Sequence, residues 1–328
     1  MGNSVHILTP VRKGGPWKWG ATLAEHLNKR GHWRAVHIHA LPKVLLSPVY
    51  QGCDIVHTAI PVTHRLWRKP VVLTIRGDYR RDNNVWSGMY PTAVKMADVV
   101  TVSSQFMKDE LGIVDAVVIP PAVDVCPLTP STSLRTGLSL SRKGRGEYSE
   151  KESRIRLLTV TNFHFPEKAK GVLKIVNALS ALKSMNLQIT LSILGDGQYR
   201  KNVAEEIEKL GVPVQFHGFT DPKPFLQSSD IFVYWSDHDN TPIALLEAMS
   251  YGLPVVTNAV GAVPEMVRDG ETGLVAGNEK DYKDKISMLL SDAALRDKLG
   301  QAVRADVIQR FSHDVITPQY EAIYQKLI

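Results

Sequence analysis

Apolar residues along this chain gather into short runs, separated by stretches where they recur every three or four positions. The runs read as buried strands and the periodic stretches as amphipathic helices. In the first half, strands are predicted over 5–10, 35–39, 54–58, 71–75, 99–102 and 116–119, with a helix over 22–29 closed by Gly31. Residues 127–153 lose the apolar period and fill with Ser, Thr, Arg, Lys and Gly, which is linker composition. Strands resume over 156–161, 189–194, 214–216, 231–234 and 254–257, with helices near 171–184, 198–210, 242–251, 279–291 and 293–310. Strands alternating with helices imply right-handed crossovers and parallel sheets. The expected fold class is therefore α/β, with two doubly wound Rossmann-like domains at 1–126 and 154–310. Ligands are expected outside the carboxyl ends of the strands, in a cleft that the domains face.

Composition narrows the class. The 328 residues suit two domains, and 44% hydrophobic with 22% charged is the balance of a soluble globular protein. No stretch approaches the ~20 apolar residues of a membrane helix, and the opening MGNSVHILTP lacks a signal-peptide pattern, so a cytoplasmic location is expected. Cys53 and Cys126 lack metal-type spacing, and neither a disulfide framework nor a metal site is expected. Charge is unevenly divided: residues 1–150 hold 19 Lys+Arg against 11 Asp+Glu, or +8, leaving −2 for the rest of the +6 total. An anionic partner of the first half follows, whether nucleic acid, an anionic membrane surface or a phosphorylated acceptor.

The densest chemistry lies at 236–265. The run from Ser236 to Met249 passes from a strand end into a helix, with Thr241 expected as N-cap and Pro242 at the first helical position. The free N–H groups and positive dipole end of such a helix suit a phosphate. Glu247 falls about a turn further in, and its carboxylate can accept two hydrogen bonds from a ribose diol. Asp239 precedes the cap, so the two acids would bracket a diphosphate over the helix end.

Asp239, Glu247 and the following 248–256 stretch (Ala-Met-Ser-Tyr-Gly-Leu-Pro-Val-Val) resemble the signature of glycosyltransferase family 4, and 261–265 and 269–274 resemble its next two turns. The family's first glutamate is an aspartate here. The resemblance implies the GT-B fold, an N-terminal acceptor-side domain, a C-terminal nucleotide-sugar donor domain, and a closing helix at 311–328 that returns towards the N-terminal domain. Residues 158–171 resemble the segment in which an arginine and a lysine clamp the diphosphate. Lys168 and Lys170 are both candidates for the lysine, while Asn162 or Phe163 stands at the arginine position. Gly195, Gly197 and the pair His217-Gly218 would line the nucleotide pocket, with Asn240 and Thr241 beside the donor. Gly14 and Gly15 resemble the family's glycine-rich loop, and Arg76 replaces a histidine that faces the donor sugar. Asp78 is a candidate partner for Arg76 or contact for the acceptor.

The implied reaction is a retaining transfer from a nucleotide-diphosphate sugar to a lipid or glycan acceptor, with Asp239, Lys168 and Arg76 at the reacting centre. No resident cofactor or metal is implied. Arg12, Lys13, Trp17, Lys18, Trp19, the 65–69 run, Arg80 and Arg81 mix cations with indoles, which suits peripheral contact with an anionic membrane. No nucleic-acid-binding motif is present, and no nucleic-acid partner is expected. The alternative readings are a non-catalytic nucleotide-sugar or lipid-binding protein of the same fold and, ranked below it, a basic nucleic-acid-binding protein.

Overall fold

A computed structural model describes residues 3–10, 15–40, 52–62, 69–81, 86–126, 154–185 and 187–328. The 127–153 linker, Gly14, Arg12, Lys13 and most of the 65–69 run lie outside the described residues. The chain forms two compact units, one of Met1–Ala122 with Arg310–Ile328 and one of Val123–Gln309. Among the described residues no helix is long and apolar enough to cross a membrane.

The first unit is built on β1 (Ser4–Pro10), β2 (Arg34–Ala40), β3 (Ile55–Thr58), β4 (Val71–Ile75), β5 (Val99–Val102) and β6 (Val117–Val118). They pair in parallel in the order β2-β1-β3-β4-β5-β6. The inner strands β1, β3 and β4 are buried on both faces, and that is why they read as unbroken apolar runs. Helix α1 (Gly15–Arg30) lays Leu23, Ala24 and Leu27 on the sheet. It starts at Gly15 rather than near residue 22, so Gly15 opens the helix instead of belonging to a loop. Gly20 allows the close approach: a Cβ there would collide with Thr9 and press on His37. Two helices that sequence periodicity missed, α2 (Tyr90–Met96) and α3 (Gln105–Leu111), are each under two full turns.

The second unit runs β7 (Ile155–Val160), α4 (Pro166–Ala181), β8 (Ile189–Leu194), α5 (Arg200–Leu210), β9 (Val214–Gly218), α6 (Lys223–Ser228), β10 (Ile231–Val233), α7 (Ile243–Ser250), β11 (Val255–Asn258), α8 (Val263–Met266), β12 (Leu274–Ala276), α9 (Glu279–Ser291) and α10 (Ala293–Phe311). The sheet order is β12-β11-β10-β7-β8-β9, parallel throughout. Chain direction across the sheet reverses between β7 and β10, the place where doubly wound sheets hold ligands. Leu157, Ile193, Val233 and Val256 of the sheet pack with Val172, Ile175, Val176 and Leu179 of α4 and Tyr282, Ile286 and Leu289 of α9.

Two helix starts depart from expectation. Helix α4 begins at Pro166, before the expected 171, because Phe165 is extended and Pro166 fits the first helical position. The polar Glu167, Lys168 and Lys170 therefore ride on the helix. Helix α7 begins at Ile243: Pro242, with ψ at 97°, is the N-cap, and no side chain caps the helix. Thr241 is not the cap. The closing helix α11 (His313–Leu327) adds Ile316, Tyr320, Ile323 and Tyr324 to the first unit's core.

Gly171 faces the Trp235 carbonyl so closely that a Cβ would overlap it. Gly171→Ala is expected to lower the stability of the second unit by about 1–3 kcal/mol, read as a drop in its urea midpoint. An unchanged midpoint would refute the contact. Within the first unit, His57 of β3 is buried between the Tyr324 hydroxyl at Nδ1 (2.5 Å) and the Thr74 hydroxyl at Nε2 (2.6 Å). Burial lowers its pKa to about 3 from the ordinary 6.5. The unfolded chain therefore takes up the proton first, so His57's contribution is complete above pH 6.5 and shrinks as pH falls from there towards 3. We expect stability to decline by up to about 1.4 kcal/mol per pH unit from this group, and His57→Gln to flatten that slope in thermal melts at pH 7 and 5.

Candidate functional site

The site forms at the switch point of the second unit, where the loops after β7 and β10 leave in opposite directions. Lys168 lies in the first turn of α4, and its ammonium Nζ meets Asp239 Oδ2 at 2.8 Å. The Tyr234 hydroxyl, from the end of β10, donates to the same Oδ2. Asp239 Oδ1 accepts the Asn240 N–H at 2.8 Å. With only 11% of its side chain exposed, this carboxylate calls for partners, and three donors supply them. Burial first, and the Asp239 charge next, push the Tyr234 hydroxyl well above the ordinary tyrosine range, so it stays a donor. Lys170, two positions on, is exposed and acts electrostatically on Asp237 instead.

Backbone contacts hold the Asp239 loop in place. The Asn258 side chain, at the end of β11, accepts the Ser236 N–H (3.1 Å) and donates to the Ser236 carbonyl (2.8 Å), acting as one more rung of strand. Ser236 Oγ donates to the His238 carbonyl at 2.7 Å. The Ala262 N–H donates to the Asn240 carbonyl at 2.7 Å. Gly261, at φ 54°, sits against the Asp239 and Asn240 carbonyls with no room for a Cβ. Among the described residues, Asn240 Oδ1 is buried with no hydrogen-bond partner, an acceptor that a ligand's hydroxyl would satisfy. Thr241 and Glu247 are both half-buried, Glu247 one turn into α7.

On the other flank, the loops after β7, β8 and β9 zip together. Phe163 N–H donates to Asp196 O (3.1 Å), Gly195 N–H to Gly218 O (2.7 Å) and Tyr199 N–H to Phe163 O (3.0 Å). Gly195 (φ 125°) and Gly197 (φ 150°) press on the Thr161 and Phe163 backbones, where a Cβ would collide. The backbone that these glycines admit so closely is the chain's own. Asn162, exposed on this ledge, accepts the His164 N–H at 2.9 Å.

In the first unit, Arg76 follows β4 and stacks over the Trp19 ring at 5.6 Å. Asp78 does not pair with it. That carboxylate takes a two-pronged grip from Arg80 (2.8 and 2.9 Å) and lies 3.7 Å from Arg81. The turn after β4 lets Arg80 fold back on Asp78, two positions earlier. Sequence reading also missed Tyr234, Asn258 and the role of Gly261. A tyrosine ending an apolar strand and an asparagine ending another were the available signals.

The fold matches known structures along its whole length. Against Anabaena HepE solved in complex with UDP, the TM-score is 0.74 at 19% identity, covering 99% of this chain and 100% of that one. The two parallel-sheet units define a two-domain, Rossmann-like GT-B fold. The family model described as Glycosyl transferases group 1 matches residues 143–306, half of the chain, and the chain belongs to that family. Among curated relatives, N-acetyl-alpha-D-glucosaminyl L-malate synthase of Bacillus anthracis is 29% identical over 187 residues, 56% of this chain and 48% of the relative. The MMP alpha-(1->4)-mannosyltransferase of Mycolicibacterium hassiacum is 28% identical over 323 residues, 92% of this chain and 72% of the relative. The chain spans about half the length of several curated relatives that it matches.

The Tyr234–Asp239 bond can be weighed directly. Tyr234→Phe is expected to cost about 1.5–3 kcal/mol of stability in the second unit. In a double-mutant cycle with Asp239→Asn, the two effects should fall clearly short of additive. Additive losses in urea unfolding would show that the two side chains do not share a bond.

Proposed function

We propose that this chain is a retaining glycosyltransferase whose second unit holds a nucleotide-diphosphate sugar and whose first unit takes the acceptor. The observation that carries this reading is the meeting of Lys168 and Asp239 at the sheet switch point, beside the starts of α4 and α7. Neither helix carries a side-chain cap, and uncapped first-turn N–H groups at that edge would favour a diphosphate. Lys168 would leave Asp239 to neutralise the charge that grows on the departing diphosphate, the main demand of the transfer. Asp239 and Asn240 then hold hydroxyls of the sugar, Thr241 lies beside the phosphates, and Glu247 accepts the ribose diol. Asn162, Gly195 and Gly197 form the ledge on the nucleotide's other side, Lys170 on α4 adds positive charge to the same edge, and by family resemblance Gly14 and Gly15 would serve the donor's phosphates or sugar. This reading assigns no step to a resident cofactor or a metal ion.

Retention of anomeric configuration is supported by the family resemblance, with the departing diphosphate helping to deprotonate the acceptor. The two curated relatives named above differ in both sugar and acceptor, so membership leaves both open here. A lipid or glycan acceptor, and peripheral contact with an anionic membrane, are supported by the +8 balance of residues 1–150.

The test is a thermal-shift panel of UDP-, GDP- and ADP-sugars on the whole chain. At least one is expected to raise the melting midpoint, because a ligand bound only by the folded state stabilises it. Glu247→Ala should fold, lose that shift and abolish sugar transfer. Near-full activity in Glu247→Ala, or silence across the panel, would overturn the assignment.

A further inference from the structure

Among the described residues, Arg76 is a guanidinium without a counter-ion. It is half-buried at the carboxyl end of β4, and its contacts among the described residues are the Trp19 ring and the electrostatic influence of Tyr320. It forms no hydrogen bond or ion pair with any described residue. The obvious carboxylate, Asp78, is already held by Arg80 and approached by Arg81.

Beneath Arg76 lies a network with no negative charge to offer. Trp19 packs edge-on against His57 at 5.0 Å, and His57 lies against Tyr320 at 5.2 Å. His57 bonds to Tyr324 and Thr74, and Thr74 to Thr101 at 2.5 Å. Burial keeps His57 neutral and Tyr320 protonated. A cation half-withdrawn from water into neutral surroundings is costly unless an anion completes it. Arginine presents five donors in a fixed fork that matches a carboxylate or phosphate.

Two further features of the same edge agree. The parallel sheet ends there, with Arg76 at the mouth of β4, and sheets of this type bind ligands outside those strand ends. Trp19, which Arg76 covers, lies near the start of the 16-residue α1, whose first turn holds no acidic residue, so its dipole adds positive potential.

We infer that Arg76 and Trp19 form an anion-binding subsite in the first unit, for a phosphate or carboxylate group carried by the acceptor. This rests on the proposed donor site, which assigns the diphosphate to Lys168 in the other unit. The acceptor class is thereby narrowed from any hydroxyl compound to an acidic one.

The test uses the whole chain in thermal melts with three probes: inorganic phosphate, malonate and UDP. Wild type is compared with Arg76→Met and Lys168→Gln. Without ligand, Arg76→Met is expected to raise the midpoint by about 2 °C or more, since an unpaired buried charge is removed. Phosphate or malonate should raise the midpoint of wild type and Lys168→Gln saturably, and leave that of Arg76→Met unmoved. UDP should still stabilise Arg76→Met. Should that variant fail to fold, Arg76→Lys keeps the charge without the fork, and its Kd for the responding anion should rise about tenfold or more. An equal phosphate and malonate response in Arg76→Met and wild type would overturn the subsite. Loss of the UDP shift in Arg76→Met would overturn its assignment to the acceptor. A UDP shift kept in Lys168→Gln would refute the donor reading while leaving the anion subsite standing.

Discussion

Main-chain carbonyls at the second unit's switch point lie nearer to neighbouring Cα atoms than any side chain would permit. Gly171 admits the Trp235 carbonyl, Gly195 that of Thr161, and Gly261 those of Asp239 and Asn240. Each contact draws a loop inwards, so that helix α4 rests directly on the end of β10 and Lys168 comes within reach of Asp239. A methyl group at any of the three would push these elements apart, and a side-chain ion pair of 2.8 Å leaves no slack for that. The functional groups are thus arranged by the residues that lack side chains.

Around that frame, charge is handled in two opposite ways. In the second unit two acids near the centre are firmly partnered: Asp239 has Lys168, Tyr234 and the Asn240 N–H, and Asp237 has Lys174 at 2.8 Å. In the first unit the acid Asp78 is doubly claimed, while among the described residues Arg76 meets the Trp19 ring and the influence of Tyr320 but no acid. The excess positive charge read from the first 150 residues therefore has a specific address as well as a general one.

The two sheets were legible because parallel strands covered on both sides must be apolar at nearly every position, as β3 and β4 are. The Asp239 to Glu247 block stood out because its types and spacing match a known pattern. Helix starts were harder. The polar face of α4's first turns resembles loop composition, and whether Pro242 opens a helix or precedes it depends on a single ψ angle. Tertiary partners were invisible: nothing in the order of residues says that Asp78 prefers Arg80 to Arg76, or that Gly195 faces the Thr161 carbonyl. Tyr234 was read as one more buried strand residue, since its hydroxyl matters only once the chain has folded Asp239 back over it.

An ammonium held against a carboxylate presents almost no net field to solution. Free Lys168 would draw any passing anion, abundant orthophosphate included. Bound to Asp239, it yields only to a ligand that replaces that carboxylate with something better, such as a diphosphate that also reaches two helix starts and brings hydroxyls for the displaced acid. In the proposed donor site the ion pair would thus work as a selectivity filter, keeping the resting pocket from being clogged by the commonest small anions around it.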